Sequence, residues 1–220
     1  MRRFNYLCSY ILVLTIALFI VTFGQNLAAR TTSTYIFHFN ENRVLNHIVT
    51  DLTGTEMADA LVGAMNSWNP EEFQIYEDTG YAVEGIFDEA ESQNMLNVKF
   101  ALDISLVLCI LSLIISAAII VYFMKNNFKV ALRKRMKTAA ILTPVLLVAE
   151  GFIFLTEIGN GILKKVVGFE QFAEDSVLKY LLGGDFISMY GVFTLLYCVI
   201  ALLAVAYLIF FITRPPRIFY

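Results

Sequence analysis

The polar residues that could take part in chemistry are concentrated in one short stretch, 88–99, directly before a long apolar run. Glu91 and Asn94 are three residues apart, so in a helix they share one face. A carboxylate there can accept a proton. An amide can orient a group or donate to an oxyanion, but it has no proton to exchange near neutral pH. If the protein has an active face at a membrane surface, we expect it to include this stretch.

The two histidines are the side chains whose ordinary pKa suits proton transfer near pH 7. His38 lies in the aromatic segment 35–39 and could approach Asn94 in space, although an aromatic group at the membrane interface is the alternative interpretation. His47 is at the edge of an amphipathic stripe, where a solvated residue is expected. Glu91, Asn94 and His38 are therefore the candidate catalytic residues.

Three further polar residues are candidates for binding a substrate: Asn97, Lys99 and Glu150. Lys99 and Asp103 are one helical turn apart, which predicts an ion pair on one helix face. Glu150 is a carboxylate inside an apolar segment, so it indicates either a functional site or a hydrogen-bonded tie between helices. Glu157, seven residues later, is predicted on the same face. Metal-ligand spacing and nucleotide-binding fingerprints are absent from the sequence, so no metal and no cofactor are expected.

The composition identifies the class of protein. The 220 residues are 58% hydrophobic, with a mean hydropathy of +0.68, which is too apolar for an ordinary soluble domain. A bilayer core needs about 20 apolar residues per helix, and four segments meet that length. The three cysteines all lie within apolar runs and give no disulfide framework: Cys8, Cys109 and Cys198. The sequence predicts an all-α integral membrane protein.

The predicted membrane helices cover residues 1–23, 100–124, 138–158 and 186–213. The segments outside them are 24–99, 125–137, 159–185 and the tail 214–220. Arg2 and Arg3 precede the first helix, and six bases without an acid fall in 125–137, which favours cytoplasmic placement of both. Both termini are then cytoplasmic, and 24–99 and 159–185 are extracytoplasmic. Because no Gly or Pro falls within 87–124, one helix could run through the boundary at residue 100.

The large polar segment 24–99 is acidic. It carries twelve carboxylates and three bases, a net charge of −9, which excludes nucleic acid as a partner. Two apolar stripes predict amphipathic helices in it. The first consists of Val44, Leu45, Ile48, Val49 and Leu52. The second follows a predicted Thr53–Glu56 capping box and consists of Met57, Leu61, Ala64, Met65 and Trp68.

Three motifs of the chain resemble those of the Lit family, the bacterial lipoprotein intramolecular transacylases. The stretch 53–61 resembles the family's capped helix early in the large outer segment. The stretch 172–178 resembles its short acidic loop before the last helix. The most informative is 85–99, where the family pattern is a Phe, then an acid, two spacers, His-Met, one spacer and Asp-Val-Lys. Together with the order of helices, the resemblance covers most of the chain.

The chain departs from that pattern at the residues that matter for catalysis. Asn94 is at the position of the family's His, and Asn97 is at the position of its Asp. The family also has a Phe-His ahead of the small outer loop, but no His occurs between Asn160 and Phe172 here. The resemblance implies acyl transfer from a lipoprotein's lipid anchor to its N-terminal amine, a reaction that needs a base. Asparagine cannot serve as that base.

The resemblance therefore predicts a four-helix protein of the bacterial cell membrane with a helical extracytoplasmic segment between helices 1 and 2. We interpret it as a non-catalytic relative that binds membrane lipid or diacylated lipoprotein. One alternative is an active acyltransferase that works through His38 or Glu91. The other is a membrane partner or sensor subunit whose acidic segment meets another protein.

Overall fold

The computed structural model describes residues 2–42, 44–48, 50–68, 71–78, 83–168, 172–173, 176–183 and 185–214. Within these ranges the chain forms eight α-helices, one 3-10 helix (Val44–His47) and two short strands. The helices are α1 (Arg2–Ala29), α2 (Thr32–Asn42), α3 (Gly54–Asn66), α4 (Glu89–Lys125), α5 (Lys129–Leu155), α6 (Glu157–Val167), α7 (Val177–Leu182) and α8 (Phe186–Ile212). The strands are β1 (Tyr76–Asp78) and β2 (Val83–Gly85).

Four of the described helices, α1, α4, α5 and α8, are long and apolar enough to cross a bilayer. Many of their large apolar side chains are exposed, for example Leu14, Ile114, Val148 and Leu203. Such a surface is stable in lipid and unfavourable in water. The protein is an all-α integral membrane protein, as the composition predicted.

The helix ends differ from the expected boundaries in three places, each for a local reason. α1 continues to Ala29, because residues 24–29 include no proline to interrupt the helix. α4 begins at Glu89 and runs unbroken across residue 100, as the absence of Gly and Pro allows. α5 begins at Lys129, so most of the expected basic loop 125–137 is helical, and it ends before Thr156, which caps α6. The tail beyond residue 214 lies outside the described residues.

The chain divides into two compact units. The bundle unit comprises the described residues of 1–25, 105–149 and 195–214, and the polar unit comprises those of 26–104 and 150–194. Segments of the four long helices build the core of the bundle unit. Its buried apolar side chains include Leu12, Ile16, Phe123, Met136, Leu147, Cys198 and Ile209.

Hydrogen bonds between helices add to this packing in the bundle unit. The Ser116 hydroxyl donates to the Thr15 hydroxyl at 2.8 Å, and the Cys198 thiol contacts the carbonyl of Ile20 at 3.4 Å. All three cysteines are buried thiols. In lipid, where apolar contact alone discriminates little between neighbours, such polar contacts help to fix which helices pair.

In the polar unit, α3 confirms the second predicted amphipathic helix. The Thr53 hydroxyl accepts from the Glu56 amide, and the Glu56 carboxylate accepts from the Thr53 amide, so the predicted capping box is formed. Met57, Leu61 and Met65 are buried, as predicted. Trp68 lies beyond the end of the helix at Asn66 and is 97% exposed, so its assignment to the apolar stripe of this helix was wrong.

The first predicted amphipathic helix is reduced to the 3-10 turn Val44–His47, and Val49 lies outside the described residues. Local hydrogen bonds compete with helix beyond that turn. The Thr50 hydroxyl accepts from the Leu52 amide at 3.1 Å, and the Glu77 carboxylate accepts from the Thr50 hydroxyl and the Asp51 amide. A Thr that bonds the backbone two residues on favours a turn.

The sequence did not predict the β1–β2 hairpin. Its strands pair antiparallel over three residues each, with Glu77 opposite Glu84. The Gln74 side chain extends the pairing: it donates to the Phe87 carbonyl at 2.7 Å and accepts from the Phe87 amide at 2.8 Å. Three-residue strands with acidic side chains carry no alternating apolar pattern, so periodicity could not reveal them.

Candidate functional site

Glu91 is a structural junction at the start of α4. Its amide donates to the Asp88 carboxylate at 2.7 Å, and the Asp88 amide donates back to the Glu91 carboxylate at 3.1 Å. This reciprocal pair closes the N-terminus of α4. The other carboxylate oxygen of Glu91 accepts from the Ser176 hydroxyl at 2.5 Å and from the Leu178 amide at 3.0 Å. One side chain thereby joins the first turns of α4 and α7.

This arrangement limits what Glu91 can do chemically. The side chain is 3% exposed, and both of its oxygens already accept hydrogen bonds. A general base needs an oxygen within reach of the proton that it removes from the substrate. Ser176 is similarly engaged, because its hydroxyl also accepts from the Lys179 amide as the N-cap of α7. The Ser176 hydroxyl thus bonds to a carboxylate 85 residues away, a contact that sequence spacing does not reveal.

Asn94 lies one turn further along the same face and is 7% exposed. Its amide nitrogen donates to the carbonyl of Val167, the last residue of α6, at 2.7 Å. Its amide oxygen is buried and has no hydrogen-bond donor among the described residues. The hydrogen bond to a carbonyl fixes which end of the amide is nitrogen. Asn94 therefore holds α6 with its nitrogen, while its buried oxygen lacks a donor among the described residues.

Lys99 is held in a charge cluster with Asp103 and Arg30. The Lys99 ammonium is 2.6 Å from one Asp103 carboxylate oxygen, which confirms the predicted pair. The Arg30 guanidinium is 2.5 Å from the other oxygen and also donates to the Met65 carbonyl at 2.6 Å. Arg30 was not singled out from the sequence, because its partner is 73 residues away. The cluster ties α3 to the start of the α4 span.

His38 is buried in an aromatic cluster and is 3% exposed. Its ring centroid is 5.2 Å from that of Phe186, in an edge-on arrangement. Burial lowers the pKa of His38 below its ordinary value, and this effect outweighs the Asp185 charge and the hydrogen bond to the Leu181 backbone, which both raise the pKa. The imidazole is thus neutral at pH 7. Its described contacts are to α2, α7 and α8, while Glu91 bonds to α4 and α7.

The two remaining predicted residues are Asn97 and Glu150. Asn97 is exposed on α4. Glu150 is 6% exposed and lies within α5, a helix long and apolar enough to cross a bilayer. Its predicted shared face with Glu157 is wrong, because the helix breaks at Thr156 and Glu157 begins α6. Among the described residues no three His, Cys, Asp or Glu side chains are grouped as metal ligands.

No protein-family model matches the sequence, and no curated protein matches it. Among solved structures, the chain is similar to the membrane integral lipoprotein intramolecular transacylase Lit from Bacillus cereus. The TM-score is 0.76 at 13% sequence identity, over 96% of this chain and 97% of that one. The two chains share a fold. At this identity the likeness concerns the fold alone, and the chemistry has to be argued from the site.

Proposed function

We propose that this protein is a non-catalytic relative of the lipoprotein intramolecular transacylases, which binds lipid or diacylated lipoprotein in the bacterial cell membrane without moving an acyl chain. The observation that carries the proposal is the state of Asn94: it is buried, its nitrogen bonds to α6, and its oxygen has no hydrogen-bond donor among the described residues. The similar solved structure, named as a transacylase that acts on lipoproteins, supports the substrate class.

The first support concerns the missing base. Asn94 is at the position of the family's His in the resembling motif, and it contacts Val167, which lies within the stretch 160–172 where the family has its second His. In this chain the Asn94 amide nitrogen donates to the Val167 backbone carbonyl at 2.7 Å, and neither position carries an imidazole. Neither group can take a proton from an amine at neutral pH.

The second support concerns binding. A buried acceptor without a donor costs about 1–3 kcal/mol, and a ligand N–H or O–H would remove that cost. The amine of a lipoprotein N-terminus or the hydroxyl of a glyceryl group is a suitable donor. A site that keeps such an acceptor without a base is suited to hold the substrate of the related reaction without converting it.

Two measurements test the proposal together. The protein would be expressed in a host that makes diacylated lipoproteins, with the Bacillus cereus transacylase as positive control, and lipoprotein N-termini read by mass spectrometry. We expect no N-acylated lyso-form from this protein. Binding of a synthetic diacylated lipopeptide to the purified full chain would be followed by native mass spectrometry.

Asn94→Leu should weaken lipopeptide binding by about 5- to 10-fold, the loss of about one hydrogen bond. Gln93→Leu, the same type of change at an exposed neighbour on α4, is the matched control. Melting temperatures of both variants show whether folding is retained. Equal binding by Asn94→Leu and the parent, or lyso-form in the parent, would contradict the proposal.

An active acyltransferase is the second candidate, and one observation favours it. The Asp185 charge raises the pKa of His38, although burial outweighs it, and a carboxylate that acts on an imidazole in this way supports a general base. Lyso-form that disappears in His38→Ala or Glu91→Ala, at unchanged expression, would replace our proposal by this one. A protein that co-purifies stoichiometrically would instead favour the partner or sensor subunit.

We also propose that both termini are cytoplasmic. Exposed bases flank the turn between α4 and α5, namely Lys125, Lys129, Lys134 and Lys137. Short loops rich in Lys and Arg are retained in the cytoplasm. This orientation puts the polar unit, with Asn94, on the outer side of the membrane, where lipoproteins are anchored.

A further inference from the structure

The helix α6 has an exposed apolar stripe that the proposed binding site does not use. Ile158, Ile162 and Val166 recur every four residues and are 69%, 56% and 77% exposed. This spacing places them on one side of the helix. Three branched apolar side chains in a row on an 11-residue helix are unfavourable in water and indicate a covered surface.

The opposite side of α6 is fastened to the polar unit. The Asn160 amide nitrogen donates to the Ser188 hydroxyl at 2.7 Å, and Asn94 holds the carbonyl of Val167. Leu163 and Val167 pack against the core cluster of the unit. Both ends of the inner face are therefore fixed, and the direction of the exposed stripe is fixed with them.

The stripe is continuous with the lipid-facing surface of a membrane span. Phe152 and Leu155, in the last turn of α5, are 54% and 47% exposed, and Thr156 alone separates α5 from α6. The turn is tight: a Cβ on Gly159 would lie 2.3 Å from the Ile153 carbonyl oxygen. An apolar surface that begins at Ile158, three residues after a spanning helix ends, begins at the depth where that span leaves the hydrocarbon.

The charges of α6 suit the same environment. Lys165 is exposed and lies about 20° around the helix from Ile158, at the edge of the stripe. Lys164 is next to it in the last turn. A lysine at the border of an apolar stripe can lay its methylenes along the acyl chains and bring its ammonium to the lipid phosphates.

From this continuity and charge we infer that α6 is an interfacial helix, whose stripe Ile158–Ile162–Val166 is covered by the acyl-chain boundary of the membrane leaflet and whose Lys165 contacts anionic lipid phosphate. The occupant of the surface is the bilayer itself. The hydrogen bond from Asn94 to the Val167 carbonyl then also fixes the orientation of α6 on the membrane. This inference does not depend on lipopeptide binding.

Tryptophan quenching by lipids brominated near the headgroup tests the position of the stripe. Trp68 is the sole tryptophan of the chain and is exposed, so Trp68→Phe gives a dark background. Ile162→Trp is the probe. Gly161→Trp is the control, one residue away on the same helix, at a position where a Cβ meets nothing within 4 Å. The full chain would be reconstituted in vesicles of phosphatidylcholine and phosphatidylglycerol.

We expect fractional quenching about twofold greater or more for Ile162→Trp than for Gly161→Trp, because the two side chains point about 100° apart. Equal quenching at both positions, or none at 162, would overturn the inference. A dimeric mass together with unquenched tryptophan at 162 would show a second copy on the stripe and would also overturn it.

Brominated phosphatidylglycerol should quench the 162 probe more than brominated phosphatidylcholine at equal mole fraction, because Lys165 recruits the anionic lipid. Lys165→Gln should remove that preference while leaving quenching by phosphatidylcholine in place. A preference unchanged in Lys165→Gln would overturn the assignment of Lys165 to lipid phosphate.

Discussion

Replacing Glu91 by alanine should loosen the junction between α4 and α7. Glu91 accepts three hydrogen bonds, and a hydrogen bond to a charged group contributes about 1.5–3 kcal/mol. Asp88 is exposed and Ser176 half-buried, so their donors can regain water, whereas Leu178 is fully buried and its amide cannot. We therefore expect a loss of about 3 kcal/mol rather than the full sum. For a chain of this size that is about 6–12 °C in melting temperature.

The assay is thermal unfolding of the purified protein in detergent, followed by size-exclusion chromatography after heating. Glu89→Ala is the matched control, since Glu89 is an exposed acid in the same first turn of α4. Its loss should cost at most about 1 kcal/mol through the helix dipole. If Glu91→Ala and Glu89→Ala melted at the same temperature, the structural role of Glu91 would be refuted, and a role as base would have to be reconsidered.

Three further outcomes are expected. Gly159→Ala should lower the melting temperature, because the added Cβ would meet a backbone oxygen at 2.3 Å, while Gly161→Ala, in open space, should not; equal melting would contradict a tight turn. Because burial lowers the pKa of His38, the unfolded chain takes up its proton first as pH falls below about 6.5, so stability should fall there and stay constant above. The melting temperature of His38→Gln should fall less steeply than that of the parent as the pH is lowered. Parallel falls in both proteins would disprove the lowered pKa of His38. Trp68→Cys should react with an impermeant maleimide in intact cells and Lys129→Cys only after permeabilisation; the reverse pattern would invert the proposed topology.

Features with short-range causes were predictable from the chain alone. Runs of about 20 apolar residues identified the membrane helices, since their length is a property of the segment itself. The Thr53–Glu56 capping box and the Lys99–Asp103 pair join residues three and four apart, so their spacing predicted their contact. The short hairpin and the 3-10 turn were missed, because Gln74 and Glu77 stabilise them through contacts that leave no periodic signal.

For the candidate site, the sequence predicted which residues share a helix face but not which residues they contact. The stretch 88–99 does begin a spanning helix, and Glu91 and Asn94 do lie buried on one face of it. Whether a buried acid is a base or a junction depends on what meets it, and Glu91 meets α7 from 87 residues away. Glu91 was predicted as a candidate base because the sequence does not reveal that the Leu178 amide donates to its carboxylate.

By itself, the sequence determined that this chain is an integral membrane protein and which four segments form its long apolar helices. That an amide is at the position of a proton carrier is an expectation from the resemblance. Hydrophobic length and residue chemistry are local, so they can be read one segment at a time. Only the tertiary structure decided that Asn94 holds the end of α6, that Arg30 completes a charge cluster, and that one face of α6 remains uncovered. Asn94 and Val167 are 73 residues apart, and so are Arg30 and Asp103. Contacts over such distances in the sequence are set by tertiary packing.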